Sequence, residues 1–223
     1  MNLKDIVKKL IVFIVLTILY QNIFYIFLLP EIYSIPVYVI YLLISYMISL
    51  ADTFIRSLTE EKSASKIFNF LILLQFLLSP FFLIGAYLEN KIFIAPVLPF
   101  WNNIIITYVG FCLYLAGGLL VIVARTQLGR FGTAELSTEE DHQLFTQGAY
   151  EYIRNPMYSG ALVATLGFCL IFRCILVLCI ILITYFLIYR IRIIEEERIL
   201  LETFGQEFEE YKKRTKRLFP FLY

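Results

Sequence analysis

Charged residues are scarce in this 223-residue sequence, where they make up 17% of the chain while hydrophobic residues make up 60%. Ordinary soluble domains contain about 25% charged residues. Basic and acidic residues nearly balance, with a formal net charge of +1, so the chain lacks the basic excess that nucleic-acid-binding proteins use. A soluble fold of this size could not bury so much apolar surface. These shortages exclude a disordered chain, a nucleic-acid-binding domain and an ordinary cytosolic enzyme.

Metal ligands are also scarce. His142 is the single histidine, and the four cysteines, Cys112, Cys169, Cys174 and Cys179, form no C-x-x-C pair. A zinc site needs about four nitrogen or sulfur ligands at recognisable spacings. We therefore expect no metal, and we expect the cysteines to be small buried hydrophobic residues.

Long hydrophobic runs are what the sequence has instead. A transmembrane helix needs about 20 apolar residues, and four runs approach or exceed this length: 6–29, 35–50, 67–88 and 104–124. The stretch 157–194 is too long for one helix and contains Arg173, a residue that is costly inside a bilayer. We interpret this stretch as a tight hairpin, with one helix ending near Phe172 and the next beginning near Ile175. The predicted fold is an all-α, multi-pass transmembrane bundle of about six helices.

The basic residues predict the orientation of this bundle. With the N-terminus inside, all of the 19 basic residues except Lys91 and Arg173 fall on the cytoplasmic side, which supports cytoplasmic locations for both termini. The first run lacks a cleavage site with small residues, so it is expected to be a retained anchor. The polar segments 125–155 and 190–223 both lie on the inner face, so any chemistry is expected there.

The segment around Asn155-Pro156 predicts the start of a helix. Asparagine is a favoured N-cap residue, and proline is favoured at the first helical position. The free backbone N–H groups of such a helix end attract an anion, and Tyr150 and Tyr158 offer ring faces to a cation. A capped transmembrane helix with interfacial aromatic residues explains the same pattern, so the residues alone leave both interpretations open.

Arg192 and Glu196 lie where the sixth helix leaves the membrane, one turn apart on one helical face. Two charges near the apolar boundary indicate a pocket, whereas ordinary ion pairs on a solvated helix are the alternative. The tail that follows predicts an amphipathic helix with a break at Gly205. The apolar end, 218–223, is expected to fold back against the bundle.

Two motif blocks resemble the isoprenylcysteine carboxyl methyltransferase and phospholipid methyltransferase superfamily. They read G-x-Y-x-x-x-R-N-P-M-Y and E-E-x-x-L-x-x-x-F-G-x-x-F-x-x-Y, and the resemblance covers about 124–223. It implies an integral membrane enzyme that uses S-adenosylmethionine in a cytoplasmic pocket formed by the 125–156 loop and the C-terminal segment. On this basis, 1–103 holds three transmembrane helices without a recognisable motif, and 104–223 is the methyltransferase core.

The resemblance also implies roles for individual residues. Arg192 is expected to face the methyl acceptor and Glu196 to bind the cofactor, and these two are the predicted catalytic residues. Glu135 takes a further polar position at the cofactor. The other residues expected at the cofactor are His142, Gln143, Leu144, Phe145, Tyr150, Arg154, Asn155, Pro156, Met157 and Tyr158. Asn155 stands where the family usually has histidine, and asparagine cannot take up a proton at neutral pH.

The predicted function is therefore membrane methyl transfer to a hydrophobic acceptor, either a small molecule, a lipid or a prenylated compound. A carboxylate acceptor is favoured because it is already nucleophilic and Arg192 can orient it through two hydrogen bonds. The alternatives are a membrane NADPH-dependent sterol or enone reductase, which shares a similar Arg-x-Pro-x-Tyr block, and a small transporter or assembly protein. The paired Glu196-Glu197 and the tail favour the methyltransferase. Membrane lipids are expected partners.

Overall fold

The computed structural model describes residues 3–56, 66–129 and 144–219. Every regular element in these ranges is helical, apart from one isolated β-bridge between Ile153 and Lys216. The α-helices are α1 (Leu3–Phe13), α2 (Tyr20–Leu28), α3 (Pro36–Arg56), α4 (Lys66–Glu89), α5 (Ala95–Val97), α6 (Ile104–Leu128), α7 (Pro156–Phe172), α8 (Leu176–Phe204) and α9 (Gln206–Arg214). Two π-helical turns, Ile14–Leu19 and Asn90–Ile94, join α1 to α2 and α4 to α5.

The multi-pass bundle predicted from the sequence is confirmed. Five stretches of the described chain are long and apolar enough to cross a bilayer: Ile6–Leu28, Pro36–Ile55, Leu73–Val97, Ile104–Leu128 and Leu176–Phe204. A sixth apolar helix, α7, is shorter, with 17 residues. The third stretch extends to Val97 rather than Leu88 because the helical backbone continues through the second π-helical turn.

The predicted hairpin between α7 and α8 is also confirmed. α7 ends at Phe172, and Arg173 adopts the left-handed conformation with a φ of 54°. A carboxylate from α4 caps the next helix, because Glu89 accepts hydrogen bonds from the backbone N–H groups of residues 175–177 at 2.6, 2.7 and 2.8 Å. The N–H groups at a helix start have no partner within the helix, and a negative charge complements that end of the helix dipole.

Ion pairs join helix ends at the two opposite ends of the bundle. Lys91 Nζ lies 2.8 Å from Glu31 Oε1 at the end that carries the Arg173 turn, and Arg125 Nε lies 2.7 Å from Asp52 Oδ1 at the other end. Hydrogen bonds from Lys91 and a neighbouring tyrosine lower the pKa of the Glu31 carboxyl. The chain therefore alternates direction as the charge pattern predicts, while the assignment of one end to the cytoplasm stays a prediction.

Glycines bring the backbones of α6 and α7 into contact. Gly110 and Gly117 of α6 face Gly167 and Gly160 of α7, so the two helices run antiparallel. A Cβ atom added at Gly117 would lie 2.4 Å from the backbone nitrogen of Ala164, closer than side-chain atoms approach. Small residues permit such close packing in membranes, where helix association depends on van der Waals contact.

Two clusters of buried side chains form the core of the described residues, and Tyr185 packs against both of them. The first cluster lies among α2, α3, α4, α7 and α8, and the second surrounds the start of α7. Cys169 and Cys174 are buried as expected, but Cys112 and Cys179 are exposed. The expectation was wrong for these two because a membrane bundle can leave small apolar side chains on its outer surface.

Candidate functional site

The start of α7 is held by the C-terminal segment of the chain. The Arg154 backbone N–H donates to the Lys216 carbonyl oxygen at 2.8 Å, and the Lys216 N–H donates to Tyr152 at 3.2 Å. One turn into α7, the Ser159 hydroxyl donates to the Leu218 carbonyl oxygen. The predicted return of the apolar C-terminus to the bundle is thus confirmed for its described part.

α9 packs its aromatic side chains against the same region. Phe208 and Tyr211 are buried, and the Tyr211 hydroxyl donates to the Tyr150 carbonyl oxygen at 2.6 Å. Burial raises the pKa of Tyr211 to about 12, so this hydroxyl keeps its proton as a donor. Gly205, with a φ of 51°, separates α8 from α9 as predicted, because glycine adopts this conformation without steric cost.

Glu197 is a buried carboxylate that joins three parts of the chain, with only 8% of the residue exposed. Arg154 Nε donates to Glu197 Oε1 at 3.1 Å, and Arg217 Nη2 donates to Oε2 at 2.8 Å. Arg154 also donates from Nη1 to the Thr215 carbonyl oxygen at 2.6 Å. Buried carboxylates need such paired and hydrogen-bonded partners, so Glu197 is already well satisfied by the protein itself.

Asn155 occupies the N-cap position of α7, and Pro156 the first helical position, as predicted. The Asn155 side chain makes no capping hydrogen bond, contrary to expectation. Its Nδ2 donates instead to the Arg217 carbonyl oxygen at 3.1 Å and to Glu197 Oε1 at 3.5 Å. Asn155 therefore serves as a hydrogen-bond donor, a role that needs no proton transfer and that a histidine N–H can also perform.

Tyr158, Arg192 and Glu196 meet beside this region. The Tyr158 hydroxyl donates to Glu196 Oε1 at 2.5 Å. The Arg192 guanidinium carbon lies 5.0 Å from the centre of the Tyr158 ring, and Arg192 Nη2 lies 3.7 Å from Glu196 Oε1. The two charged side chains remain 18% and 30% exposed, so a ligand can reach both of them. Tyr158 thus contacts both predicted catalytic residues, Glu196 through its hydroxyl and Arg192 through the face of its ring.

Tyr150 has a buried ring and a hydroxyl that has no hydrogen-bond partner within the described part of the chain. Burial raises the pKa of this hydroxyl well above its usual value, with an opposing effect from the charge of Arg125 and a smaller raising effect from Glu196. A buried polar group without a partner is costly and calls for an explanation. A polar group of a bound cofactor would supply the missing partner, so the residues present fit a cofactor at this place.

The other predicted cofactor residues are described only in part. Leu144, Phe145 and Met157 are half-buried, and the Phe145 ring lies 5.5 Å from that of Tyr150. Glu135, His142 and Gln143 lie outside the described residues. Because these three residues belong to the predicted pocket, the direct role of each residue at the cofactor stays a prediction.

Sequence reasoning missed Glu197 and Arg217 as the centre of this region. A usable signal was present, because Tyr189, Ile193 and Glu197 follow one another at four-residue steps along the buried face of α8. A charged residue that continues a buried stripe requires a partner inside the protein. The four-residue spacing of the buried side chains therefore predicts that Glu197 lies inside the protein, whereas Glu196, one position earlier, lies off this buried face.

Two further features bear on the kind of site. The described residues contain no group of three or more histidine, cysteine, aspartate or glutamate side chains that could hold a metal ion. A cavity of about 470 Å³ lies elsewhere, between α1, α3, α4, α6 and α7, and none of the predicted site residues lines it. The site is thus a polar cluster at one end of α7 and α8.

Comparison with known proteins gives consistent results. A family model described as phospholipid methyltransferase matches residues 105–207. A probable protein-S-isoprenylcysteine O-methyltransferase of Oryza sativa subsp. indica is 27% identical over 156 residues, which is 69% of this chain and 80% of the relative. Protein-S-isoprenylcysteine O-methyltransferase B of Arabidopsis thaliana is 29% identical over 115 residues, covering 51% of this chain and 58% of the relative.

A solved structure extends the similarity to the whole fold. The eukaryotic intramembrane Ras methyltransferase, an isoprenylcysteine carboxyl methyltransferase, superimposes with a TM-score of 0.62 over 100% of this chain and 88% of its own, at 20% identity. The description of the family model and the names of the relatives are those of methyltransferases, so these comparisons do not favour the reductase alternative. The chain is thus similar to the isoprenylcysteine carboxyl methyltransferase and phospholipid methyltransferase superfamily, and these similarities together support a membrane methyltransferase.

Proposed function

We propose that this enzyme uses S-adenosylmethionine to methylate the carboxylate of a hydrophobic, prenylated acceptor. The names of the plant relatives support a prenylcysteine carboxylate as the acceptor class. The observation that carries the proposal is the position of Arg192, whose guanidinium lies over Tyr158 near the point where α8 leaves the apolar part of the bundle. A cation at this place suits an acceptor with an apolar chain and an anionic end.

Glu196 and Tyr150 are the described residues best suited to hold the cofactor. The Glu196 carboxylate is partly exposed and complements a positively charged ligand. The Tyr150 hydroxyl has no hydrogen-bond partner among the described residues. When bound, S-adenosylmethionine supplies a methyl group activated by a positively charged sulfur. Arg154 and Asn155 already donate to Glu197 and to the C-terminal segment, so we propose that they support the site by fixing that segment.

Arg192 favours a carboxylate over an amine as the acceptor. Guanidinium and carboxylate groups match in a planar arrangement of two parallel hydrogen bonds, which would orient the acceptor oxygen. A carboxylate is nucleophilic without losing a proton, so the described residues need only bind and align it. Correct alignment of two reactants can lower the barrier by roughly 7–11 kcal/mol.

The second candidate function is N-methylation of an aminophospholipid. The description of the matching family model favours it. Arg192 argues against it, because an amine must lose a proton before methyl transfer and would carry the same charge as the guanidinium. The two candidates predict chemically different products.

Methyl transfer to defined acceptors separates these candidates. Purified protein in detergent would receive S-adenosylmethionine with a labelled methyl group, together with an S-farnesyl cysteine derivative or phosphatidylethanolamine. A methyl ester releases labelled methanol in base, whereas a methylated amine does not. We expect base-labile label on the prenylated acceptor. Label found only on the phospholipid amine would overturn the carboxylate proposal.

Two variants test the proposed division of roles. Charged hydrogen bonds contribute roughly 1.5–3 kcal/mol, so Glu196→Gln is expected to weaken cofactor binding about ten- to a hundredfold. Arg192→Ala is expected to leave cofactor affinity nearly unchanged and to lower turnover of the acceptor. Equal loss of cofactor binding in both folded variants would show that Arg192 and Glu196 are only an ion pair at the cofactor.

A further inference from the structure

The first three transmembrane helices carry no recognisable motif, yet one of them contacts a side chain that packs against the candidate site. Gln75 of α4 is half-buried in the bundle, and its Nε2 lies 3.4 Å from the hydroxyl oxygen of Tyr189 on α8. An amide inside a membrane bundle is costly unless it is paired, and polar residues at this depth commonly serve function.

Tyr189 connects Gln75 to the site. Tyr189 is buried, with 5% of the residue exposed, and its ring centre lies 5.0 Å from that of Tyr158. The Tyr158 hydroxyl in turn donates to Glu196, and the Arg192 guanidinium lies over the Tyr158 ring. Gln75 is thus two side chains away from the predicted catalytic pair.

Tyr189 also shares a face of α8 with Arg192, since the two are three residues apart. Tyr185, one turn earlier, has its ring centre 5.5 Å from that of Tyr189 and packs against both core clusters. The three tyrosines, Tyr158, Tyr189 and Tyr185, form a continuous row of rings that leads from Arg192 into the apolar interior. An acceptor whose carboxylate lies on Arg192 would have its hydrophobic chain beside this row.

We propose that Gln75 is a positioning residue that sets acceptor selectivity by fixing the Tyr189 ring in this row. The inference rests on the proposed function, because it assigns the Tyr189 and Tyr185 rings to the acceptor, while Tyr158, a predicted cofactor residue, links these rings to Arg192. It gives the N-terminal helices a role in substrate choice. Gln75 acts through Tyr189, and within the described part of the chain its hydrogen bonds reach neither the predicted cofactor residues nor Arg192.

The chain offers a matched control. Gln21 of α2 is also a half-buried amide, and its Nε2 lies 3.3 Å from the hydroxyl oxygen of Ser79 on α4. Gln75 and Gln21 therefore share residue type, burial class and partner chemistry, but only Gln75 has a partner that contacts the site. Gln75→Met and Gln21→Met remove the same polar group at the two places.

The test is a double-mutant cycle on acceptor kinetics. A neutral hydrogen bond is worth a roughly two- to tenfold change in affinity, so Gln75→Met and Tyr189→Phe should each raise the acceptor KM by about that factor. Their combination should be no worse than the stronger single variant, because both remove the same contact. Cofactor affinity should stay at the wild-type value, and the ratio of farnesyl to geranylgeranyl turnover should shift. Gln21→Met should change none of these quantities.

Three results would overturn the proposal. They are equal effects of Gln75→Met and Gln21→Met on the acceptor KM, full additivity of Gln75→Met with Tyr189→Phe, or loss of cofactor affinity in Gln75→Met or Tyr189→Phe. If Gln75→Met does not fold, Tyr189→Phe is measured alone, since it keeps the ring and removes only the hydroxyl. An unchanged acceptor KM and an unchanged ratio of farnesyl to geranylgeranyl turnover in Tyr189→Phe also contradict the proposal. Methylation of the aminophospholipid alone would overturn the proposed acceptor. The same cycle measured with that phospholipid would still decide the role of Gln75.

Discussion

Glu196 and Glu197 are adjacent on α8 and have different surroundings. Glu197 is buried and accepts hydrogen bonds from Arg154 and Arg217. Glu196 is partly exposed and contacts Tyr158 and Arg192. Consecutive helical residues point about 100° apart, so one carboxylate stabilises the fold while its neighbour remains accessible to a ligand.

Replacing each glutamate by glutamine should separate these two uses. Breaking a buried ion pair by removing one partner typically costs about 3–5 kcal/mol, so Glu197→Gln should lower the melting temperature in detergent by many degrees. Glu196→Gln, the matched control, should melt near the wild type. A Glu197→Gln protein that keeps its melting temperature would show that Arg154 and Arg217 do not depend on this carboxylate.

At the scale of elements, the contact between α6 and α7 places the start of α7. Both helices use glycines two turns apart, and the backbones approach too closely for a side chain. Because Asn155, Tyr158 and the loop before them follow the position of α7, this contact also positions the site. The small residues at this membrane helix interface thus help to hold the candidate site in place.

Two adjacent glycines of α6 give a prediction about this interface. A Cβ at Gly117 would meet the backbone of Ala164 at 2.4 Å, whereas a Cβ at Gly118 would meet only the flexible end of the Ile48 side chain at 2.7 Å. Overpacking costs about 1–3 kcal/mol, and more where backbone must move. Gly117→Ala should therefore lower the melting temperature clearly more than Gly118→Ala does. Equal shifts would contradict the role of this contact.

At the scale of the whole molecule, the ends of the helices fall into two groups. Glu31, Lys91 and the Arg173 turn lie at one end, while Asp52, Arg125 and the candidate site lie at the other. The concentration of basic residues at the second end leads us to propose that this end and both termini are cytoplasmic. The acceptor and the cofactor would then meet at the cytoplasmic surface.

Cysteine labelling in intact cells tests this orientation. In a protein without its exposed native cysteines, Cys112 and Cys179, single cysteines at Glu31 and Lys91 should react with a membrane-impermeant maleimide. A cysteine at Gln206 should react only after the membrane is permeabilised. A reporter fused at Arg173 should agree with the first pair. Labelling of Gln206 from outside would reverse the proposed topology.

The sequence by itself determined the membrane class, the long apolar helices and the hairpin at Arg173. These features depend on the length of apolar runs and on the cost of a charge within a bilayer, which are properties of short segments. The spacing also placed Arg192 and Glu196 on one face of a helix, because residues one helical turn apart share a face wherever the helix lies. It could not place Tyr158 beside them, because Tyr158 lies on α7.

Only the tertiary structure decided which groups meet across the chain. Glu89 caps a helix that begins far along the chain, Glu197 binds the C-terminal segment, and Gln75 reaches Tyr189. No local pattern contains these pairs, since each depends on how separate helices rotate and pack. The same applies to the Asn155 side chain, whose local preference for capping was overridden by the Arg217 carbonyl oxygen and the Glu197 carboxylate. Packing decided these contacts because a buried polar group must find its partner wherever the fold places one.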